Sequence, residues 1–104
     1  MPRIAFTMQL LPGFEAEYKK RHDEIWPELK DLLSSSGISN YCIFLEESTG
    51  ILFATMDVED DTRARENRNN PIMKKWWSHM SDIMETNVDS SPVTSPLKQV
   101  FYLP

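Results

Sequence analysis

A histidine and a tyrosine one helical turn apart are the residues best suited to proton chemistry. With Phe14 at zero and ~100° per residue, Tyr18 lies near ~40° and His22 near ~80°. Leu29 falls near ~60° on the same scale, so the four residues share one helix face. Imidazole can gain or lose a proton near neutral pH. The spacing therefore predicts an inward-facing imidazole, which is either a satisfied structural residue or a proton-transfer group.

Two adjacent tryptophans form the second informative feature. With Met73 at zero, Trp77 falls near ~40° and Trp76 near ~-60°, so both indoles flank one apolar stripe. They either pack a helix onto a sheet, as aromatic stripes commonly do, or form a flat wall for a ligand with apolar C–H faces. His79 falls near ~-120°, off this stripe, which predicts a solvated side chain.

Tyr41 shares one face of an apolar segment with Ile43 and Leu45 and is either a packed aromatic or a ligand contact. Cys42 is the single cysteine, so no internal disulfide can form, and its apolar neighbours predict a small core residue. The histidines lack a metal-ligand spacing, so we expect no metal site. A reducing cytoplasm fits this cysteine usage.

The composition narrows the classes of partner. The 104 residues correspond to one domain, with a net charge of -5. An acidic balance disfavours nucleic acid or an anionic membrane as a partner, because both favour a basic patch. No segment reads as a leader or a membrane span, and no glycine-rich nucleotide loop or serine-hydrolase motif is present.

Hydrophobic periodicity and turn residues indicate the elements that must position these side chains. We expect strands at 4–10, 40–46, 51–58 and 97–103, and helices at 14–22, 27–35, 62–69 and 71–84. Gly37 is expected to end the second helix as a left-handed cap. The segment 85–96 is either a long ordered loop or a flexible one.

The order of these elements predicts an α+β fold: a ferredoxin-like βαββαβ antiparallel sheet with helices on one side. Both faces of its strands carry apolar side chains. A bare apolar face invites a partner, so two copies stacked sheet to sheet, as a homodimer, are expected.

Six short strings resemble the L-rhamnose mutarotase family, in the same order and over nearly the whole chain. They are the segments at 18–22, 25–29, 40–41, 75–77, 91–93 and 100–104. The resemblance implies a single domain over residues 1–104 of the dimeric α+β barrel type. It also implies an aldose 1-epimerase that interconverts the α and β anomers of L-rhamnose without a metal or an organic cofactor.

The resemblance also implies roles for five residues. The family's histidine at the position of His22 is described as the proton donor. Residues that match Tyr18, Tyr41, Trp76 and Trp77 bind the sugar in that family. All five positions carry the expected residue type here.

The chemistry of ring opening agrees with this expectation. A pyranose opens when its ring oxygen gains a proton and its anomeric hydroxyl loses one, and imidazole can serve either purpose at neutral pH. We expect His22 to protonate the ring oxygen, with Tyr41, Tyr18 or a water handling the anomeric proton. Two alternatives remain open: a cofactor-free monooxygenase, which would consume oxygen, and a non-catalytic sugar-binding module, which would leave the anomer ratio relaxing at the solvent rate.

Overall fold

Four strands form one antiparallel sheet in the computed structural model, which describes residues 2–104. The elements are β1 (Arg3–Gln9), α1 (Glu15–Asp23), α2 (Pro27–Ser35), β2 (Ile38–Glu46), β3 (Ile51–Val58), α3 (Asp61–Glu66), a 3-10 turn (Asn67–Asn69), α4 (Pro71–Met80) and β4 (Ser95–Pro96). The strand order is β2-β3-β1-β4, with β3 antiparallel to both of its neighbours. The predicted α+β class and four-stranded antiparallel sheet are confirmed. No helix within residues 2–104 has the length and apolar character needed to cross a bilayer.

Local sequence signals set the helix ends. Pro27 and Pro71 lie in the first turns of α2 and α4, where a missing amide hydrogen costs nothing. The Asn70 side chain accepts a hydrogen bond from the backbone N–H of Ile72 at 2.9 Å and so caps α4. Gly37, with φ of +83°, follows α2 as predicted.

The core lies between the helices and one face of the sheet. Met8 of β1 pairs with Leu52 of β3, and both are buried on this inner face. Leu29 of α2 and Met80 of α4 belong to the same buried cluster. Alternating strand residues therefore meet the apolar stripes of the helices.

Cys42 corrects one prediction, because its side chain is exposed rather than buried in the core. The pairing of β2 with β3 shifts register between Ser39 and Cys42. Beyond this bulge Cys42 lies opposite Thr55, while Ile43 lies opposite the buried Ala54. Strand alternation then places Cys42 on the outer face of the sheet.

The strand predicted at 97–103 is wrong. Only Ser95–Pro96 pairs with β1, and the N–H of Leu97 makes a final bond to the carbonyl oxygen of Ala5 at 2.9 Å. The apolar residues of the tail that follows, Val100, Phe101, Tyr102 and Leu103, are all exposed. Beyond Leu97 the tail leaves the edge of β1 and pairs with no strand in the described residues.

Helix α4 ends at Met80, four residues before the predicted end near Met84. The N–H of Leu11 bonds the carbonyl oxygen of Ile83 at 2.9 Å, and Leu10 forms a bridge with Met84. These bonds to the end of β1 draw the chain out of the helix. Ile83 is completely buried as a result.

Candidate active site

A cavity of about 820 Å³ opens between the inner face of the sheet and the helices. All five predicted site residues line it: Tyr18, His22, Tyr41, Trp76 and Trp77. Its volume is in the range of small-molecule sites, and most of its lining is apolar with a few polar groups. Three separate elements, α1, β2 and α4, thus bring the predicted residues to one place.

Tyr18 and His22 are stacked one turn apart on α1. Their ring centroids are 4.3 Å apart and the ring planes differ by 29°. The Nδ1 atom of His22 lies 3.1 Å from the backbone carbonyl oxygen of Tyr18. A carbonyl oxygen can only accept, so Nδ1 carries the proton in this contact. In the neutral ring, Nε2 then holds the free lone pair.

Burial favours the neutral form of this imidazole. It lowers the pKa of His22 below the ordinary value of 6.5, and the hydrogen bond to the Tyr18 carbonyl opposes this only in part. At pH 7 the ring is therefore mainly uncharged, and Nε2 is a proton acceptor.

The two tyrosines supply hydroxyl groups that stay protonated. Burial raises the pKa of Tyr18, and it raises the pKa of Tyr41 to about 12. Tyr41 still keeps 37% of its surface accessible, because it borders an open cavity. Within residues 2–104 neither hydroxyl makes a hydrogen bond to the protein. The Tyr18 hydroxyl is not among the fully buried atoms that lack a partner, so it keeps some accessible surface. Both phenols are available to a ligand.

The two tryptophans differ in burial. Trp76 is buried, and its ring meets that of His22 edge to face, with centroids 5.4 Å apart and an interplanar angle of 88°. Trp77 is half-buried. Trp76 thus packs in the core cluster and also lines the cavity.

Two aromatic neighbours of Trp76 were not predicted. Trp26, which immediately precedes α2, meets Trp76 edge to face at 5.1 Å. His79 is exposed, as predicted, but its ring also lies 5.5 Å from that of Trp26 and 5.7 Å from that of Trp76. The i,i+3 spacing of Trp76 and His79 was the available signal. Within residues 2–104 Trp76 therefore has three aromatic ring neighbours: His22, Trp26 and His79.

The loop after α4 is ordered by its own hydrogen bonds. The N–H of Asn87 bonds the carbonyl oxygen of Ser91 at 2.7 Å, and the Asp89 side chain accepts from the N–H of Ser91 at 3.0 Å. Thr86, Ser90 and Pro92 of this loop line the cavity. The loop therefore forms a built wall of the site.

Metal-ligating side chains do not gather in groups of three or more anywhere in residues 2–104. The rings of His22 and His79 each contact that of Trp76, at 5.4 Å and 5.7 Å between centroids.

Comparison with known proteins shows the family of this chain. A family model described as L-rhamnose mutarotase matches residues 3–103. The L-rhamnose mutarotase of Flavobacterium johnsoniae is 57% identical over 101 residues, which cover 97% of this chain and 94% of that protein. That of Rhizobium leguminosarum bv. trifolii is 55% identical over 104 residues, 100% of this chain and 98% of the relative.

A solved structure is similar as well. The crystal structure of an L-rhamnose mutarotase from Formosa agariphila superposes with a TM-score of 0.93, at 49% identity and with 100% of both chains covered. The match extends to the whole sheet and all of the helices that surround the cavity. On these grounds the chain belongs to the L-rhamnose mutarotase family.

Proposed function

We propose that this protein interconverts the α and β anomers of L-rhamnose by proton transfer through Nε2 of His22. The observation that carries the proposal is the meeting of a neutral imidazole, two phenols and two indoles on one cavity. The identity of the sugar is inferred from the names of the relatives. The free Nε2 atom of His22 is the group that transfers the proton.

The protonation states refine the first step of the reaction. A neutral imidazole whose Nδ1–H is already bonded can only accept a proton at Nε2. In ring opening, Nε2 takes the proton of the anomeric hydroxyl, the bond between C1 and the ring oxygen breaks, and the ring oxygen takes a proton from Tyr18, Tyr41 or a water. The C1 carbonyl then turns its other face to the hydroxyl.

Ring closure reverses these transfers. The sugar hydroxyl attacks C1, its proton returns to the group that gave one, and the imidazolium returns its proton to the carbonyl oxygen. His22 is thus the acceptor in opening and the donor in closure, which accommodates the donor role that the family resemblance implies. In this proposal His22 first accepts the anomeric proton instead of protonating the ring oxygen, since burial lowers the pKa of His22 and favours the neutral ring.

The aromatic residues bind and orient the sugar. Indole faces suit the C–H groups and the 6-methyl group of L-rhamnose, while the hydroxyls of Tyr18 and Tyr41 bond to its polar groups. Only protons move in this scheme, and each one returns. It requires no metal and no organic cofactor.

The protein acts as a homodimer of the dimeric α+β barrel type. Phe44 and Phe53 lie opposite each other on β2 and β3, on the face of the sheet that no helix covers, and 67% and 38% of their surfaces are exposed. The apolar residues of the tail at 97–104 are exposed as well. A second copy would cover both surfaces.

The cytoplasm is the compartment we propose for this enzyme. Cys42 is an exposed free thiol, and a reducing compartment keeps such a group from forming intermolecular disulfides.

Saturation-transfer NMR on L-rhamnose tests the activity. We expect the protein to speed exchange between the α and β anomeric proton signals above the spontaneous rate at equal pH and buffer. If the protein binds L-rhamnose but leaves the exchange rate unchanged, it is a sugar-binding module and the proposal is wrong. An oxygen electrode with quinol-type substrates checks the monooxygenase alternative, and we expect no oxygen uptake.

A further inference from the structure

Arg21 joins α1 to the turn that follows α4. Its Nη1 donates hydrogen bonds to the backbone carbonyl oxygen of His79 at 2.6 Å and to Oδ1 of Asp82 at 2.8 Å. Its Nη2 donates to Oδ2 of Asp82 at 3.2 Å. The guanidinium therefore binds the carboxylate in a bidentate way and also donates to a carbonyl oxygen in the last turn of α4.

This link is unlike the exposed ion pairs of the protein. Nε of Arg21 donates to Glu17 on its own helix at 2.8 Å, so acceptors on both sides fix the guanidinium plane. Only 14% of the Arg21 side chain is exposed, against 77% for that of Lys19 in its pair with Asp23. The Asp82 side chain is 66% exposed, so what distinguishes this link is the low exposure of the guanidinium and its two-nitrogen contact with the carboxylate, which fixes a geometry better than a single contact from a flexible ammonium group.

The two elements that Arg21 joins carry the proposed site. Arg21 lies between Tyr18 and His22 on α1, and α4 carries Trp76. His22 and Trp76 meet edge to face, with ring centroids 5.4 Å apart. A sliding of α1 against α4 would therefore move the imidazole relative to the indole wall.

We propose that Arg21, through Asp82 and the His79 carbonyl, is a positioning residue that holds the imidazole of His22 in register with the indole of Trp76. Its effect on catalysis rests on the proposed function. Arg21 does not line the cavity in the part of the chain that the structure describes, so it acts without touching the sugar. A misplacement of about 1 Å can cost up to about 100-fold in rate.

Two variants weaken the link in different ways. Arg21→Lys keeps the charge but offers one ammonium group where a planar fork binds three acceptors. Asp82→Asn removes the carboxylate and leaves the bonds of Arg21 to Glu17 and to the His79 carbonyl in place. Arg65→Lys and Asp61→Asn are matched controls, because that pair joins at 2.8 Å on exposed α3.

The experiment combines a measurement on the sugar-free protein with kinetics. Proton NMR follows the ring protons of His22, which Tyr18 and Trp76 shift by their ring currents. Saturation transfer on L-rhamnose gives kcat and KM, and thermal unfolding establishes that each variant is folded.

We expect His22 ring-proton shifts to move toward their random-coil positions in Arg21→Lys and Asp82→Asn. We expect kcat to fall by about 10-fold to 100-fold. The double variant should fall no further than Arg21→Lys, since both changes break the same link. The control variants should keep the ring-proton shifts, kcat and KM of the unmodified protein.

Unchanged ring-proton shifts, or an unchanged kcat, in either folded variant would overturn the positioning role. If Arg21→Lys does not fold, Asp82→Asn decides, because it keeps two of the link's acceptors. An unmodified protein that fails to exchange L-rhamnose refutes the proposed function instead. The ring-proton shifts still decide whether Arg21 positions His22 in that case.

Discussion

Nδ1 of His22 lies 3.1 Å from the backbone carbonyl oxygen of Tyr18, and the two side-chain rings stack at 4.3 Å. The helix itself thereby selects the tautomer of the imidazole. A backbone acceptor cannot turn away or change its protonation state, so Nε2 is the nitrogen left for a ligand.

The first prediction concerns the loss of this imidazole. We expect His22→Ala to keep the fold and to lower enzyme-dependent anomer exchange by about 10²-fold to 10⁴-fold, the usual contribution of positioned proton transfer. Lys20→Ala is the control on the same helix, since Lys20 is exposed and does not line the cavity. Saturation-transfer NMR measures both. Full exchange in His22→Ala would remove His22 from the mechanism.

The pH profile separates the two possible first steps. Burial lowers the pKa of His22 below 6.5, so a starting base predicts that kcat/KM rises with pH through that lowered pKa and is level near neutrality. A starting acid predicts the reverse, a decline as pH rises. Each rate must be corrected for spontaneous mutarotation in the same buffer. A profile that declines from pH 5 to pH 7 would contradict the role of Nε2 as first acceptor.

The carboxylate of Asp57, on the outer face of the sheet, predicts how the stability of the fold changes in acid. Its carboxylate accepts hydrogen bonds from Nε of Arg3 and Nδ2 of Asn40, each at 2.8 Å. The bond from Arg3 is the largest cause that lowers the pKa of Asp57, from 3.8 to about 2. A depressed carboxyl pKa stabilises the fold above 3.8, and that stabilisation is lost as the pH falls toward about 2.

We therefore expect Asp57→Asn to lower the Tm at pH 7 and to have the same Tm as the unmodified protein once the carboxylate is protonated. Thermal unfolding by circular dichroism, repeated across this pH range, measures the difference. Asp61→Asn on exposed α3 is the control and should shift the Tm less. A constant difference at all pH values would show that the carboxylate's charge is not what stabilises the sheet.

The proposed dimer can be tested on the apolar face assigned to it. We expect Phe44→Glu to convert the dimer to monomers, because a charge would be buried opposite Phe53 and the partner sheet. Val88→Glu is the control, since Val88 is a fully exposed apolar residue in the loop after α4. Light scattering on a sizing column gives the mass. A Phe44→Glu protein with the mass of a dimer would place the interface elsewhere.

Sequence periodicity was sufficient to predict features that depend on a single helix. The shared face of Tyr18 and His22 follows from helical geometry alone. The ends of α2 follow from Pro27 and Gly37. Pro27 has a fixed φ that suits the first turn of a helix, and Gly37 adopts the positive φ that ends one.

Contacts between distant segments were not predictable in the same way. The bulge in β2 goes with the positive φ of Asn40, at +50°, and it decides which face Cys42 occupies. The end of α4 depends on bonds to Leu11, and the ring contact of Trp26 with Trp76 joins residues 50 positions apart. Apolar alternation at 97–103 predicts a strand but does not specify whether its partner is in the same chain.

That uncovered tail bears on how the protein's stability must be measured. With a second copy as its cover, part of the apolar surface is removed from water only on association. The free energy of unfolding is then linked by mass action to the amount of protein in the sample. Dilution alone would lower the melting temperature, with no residue changed.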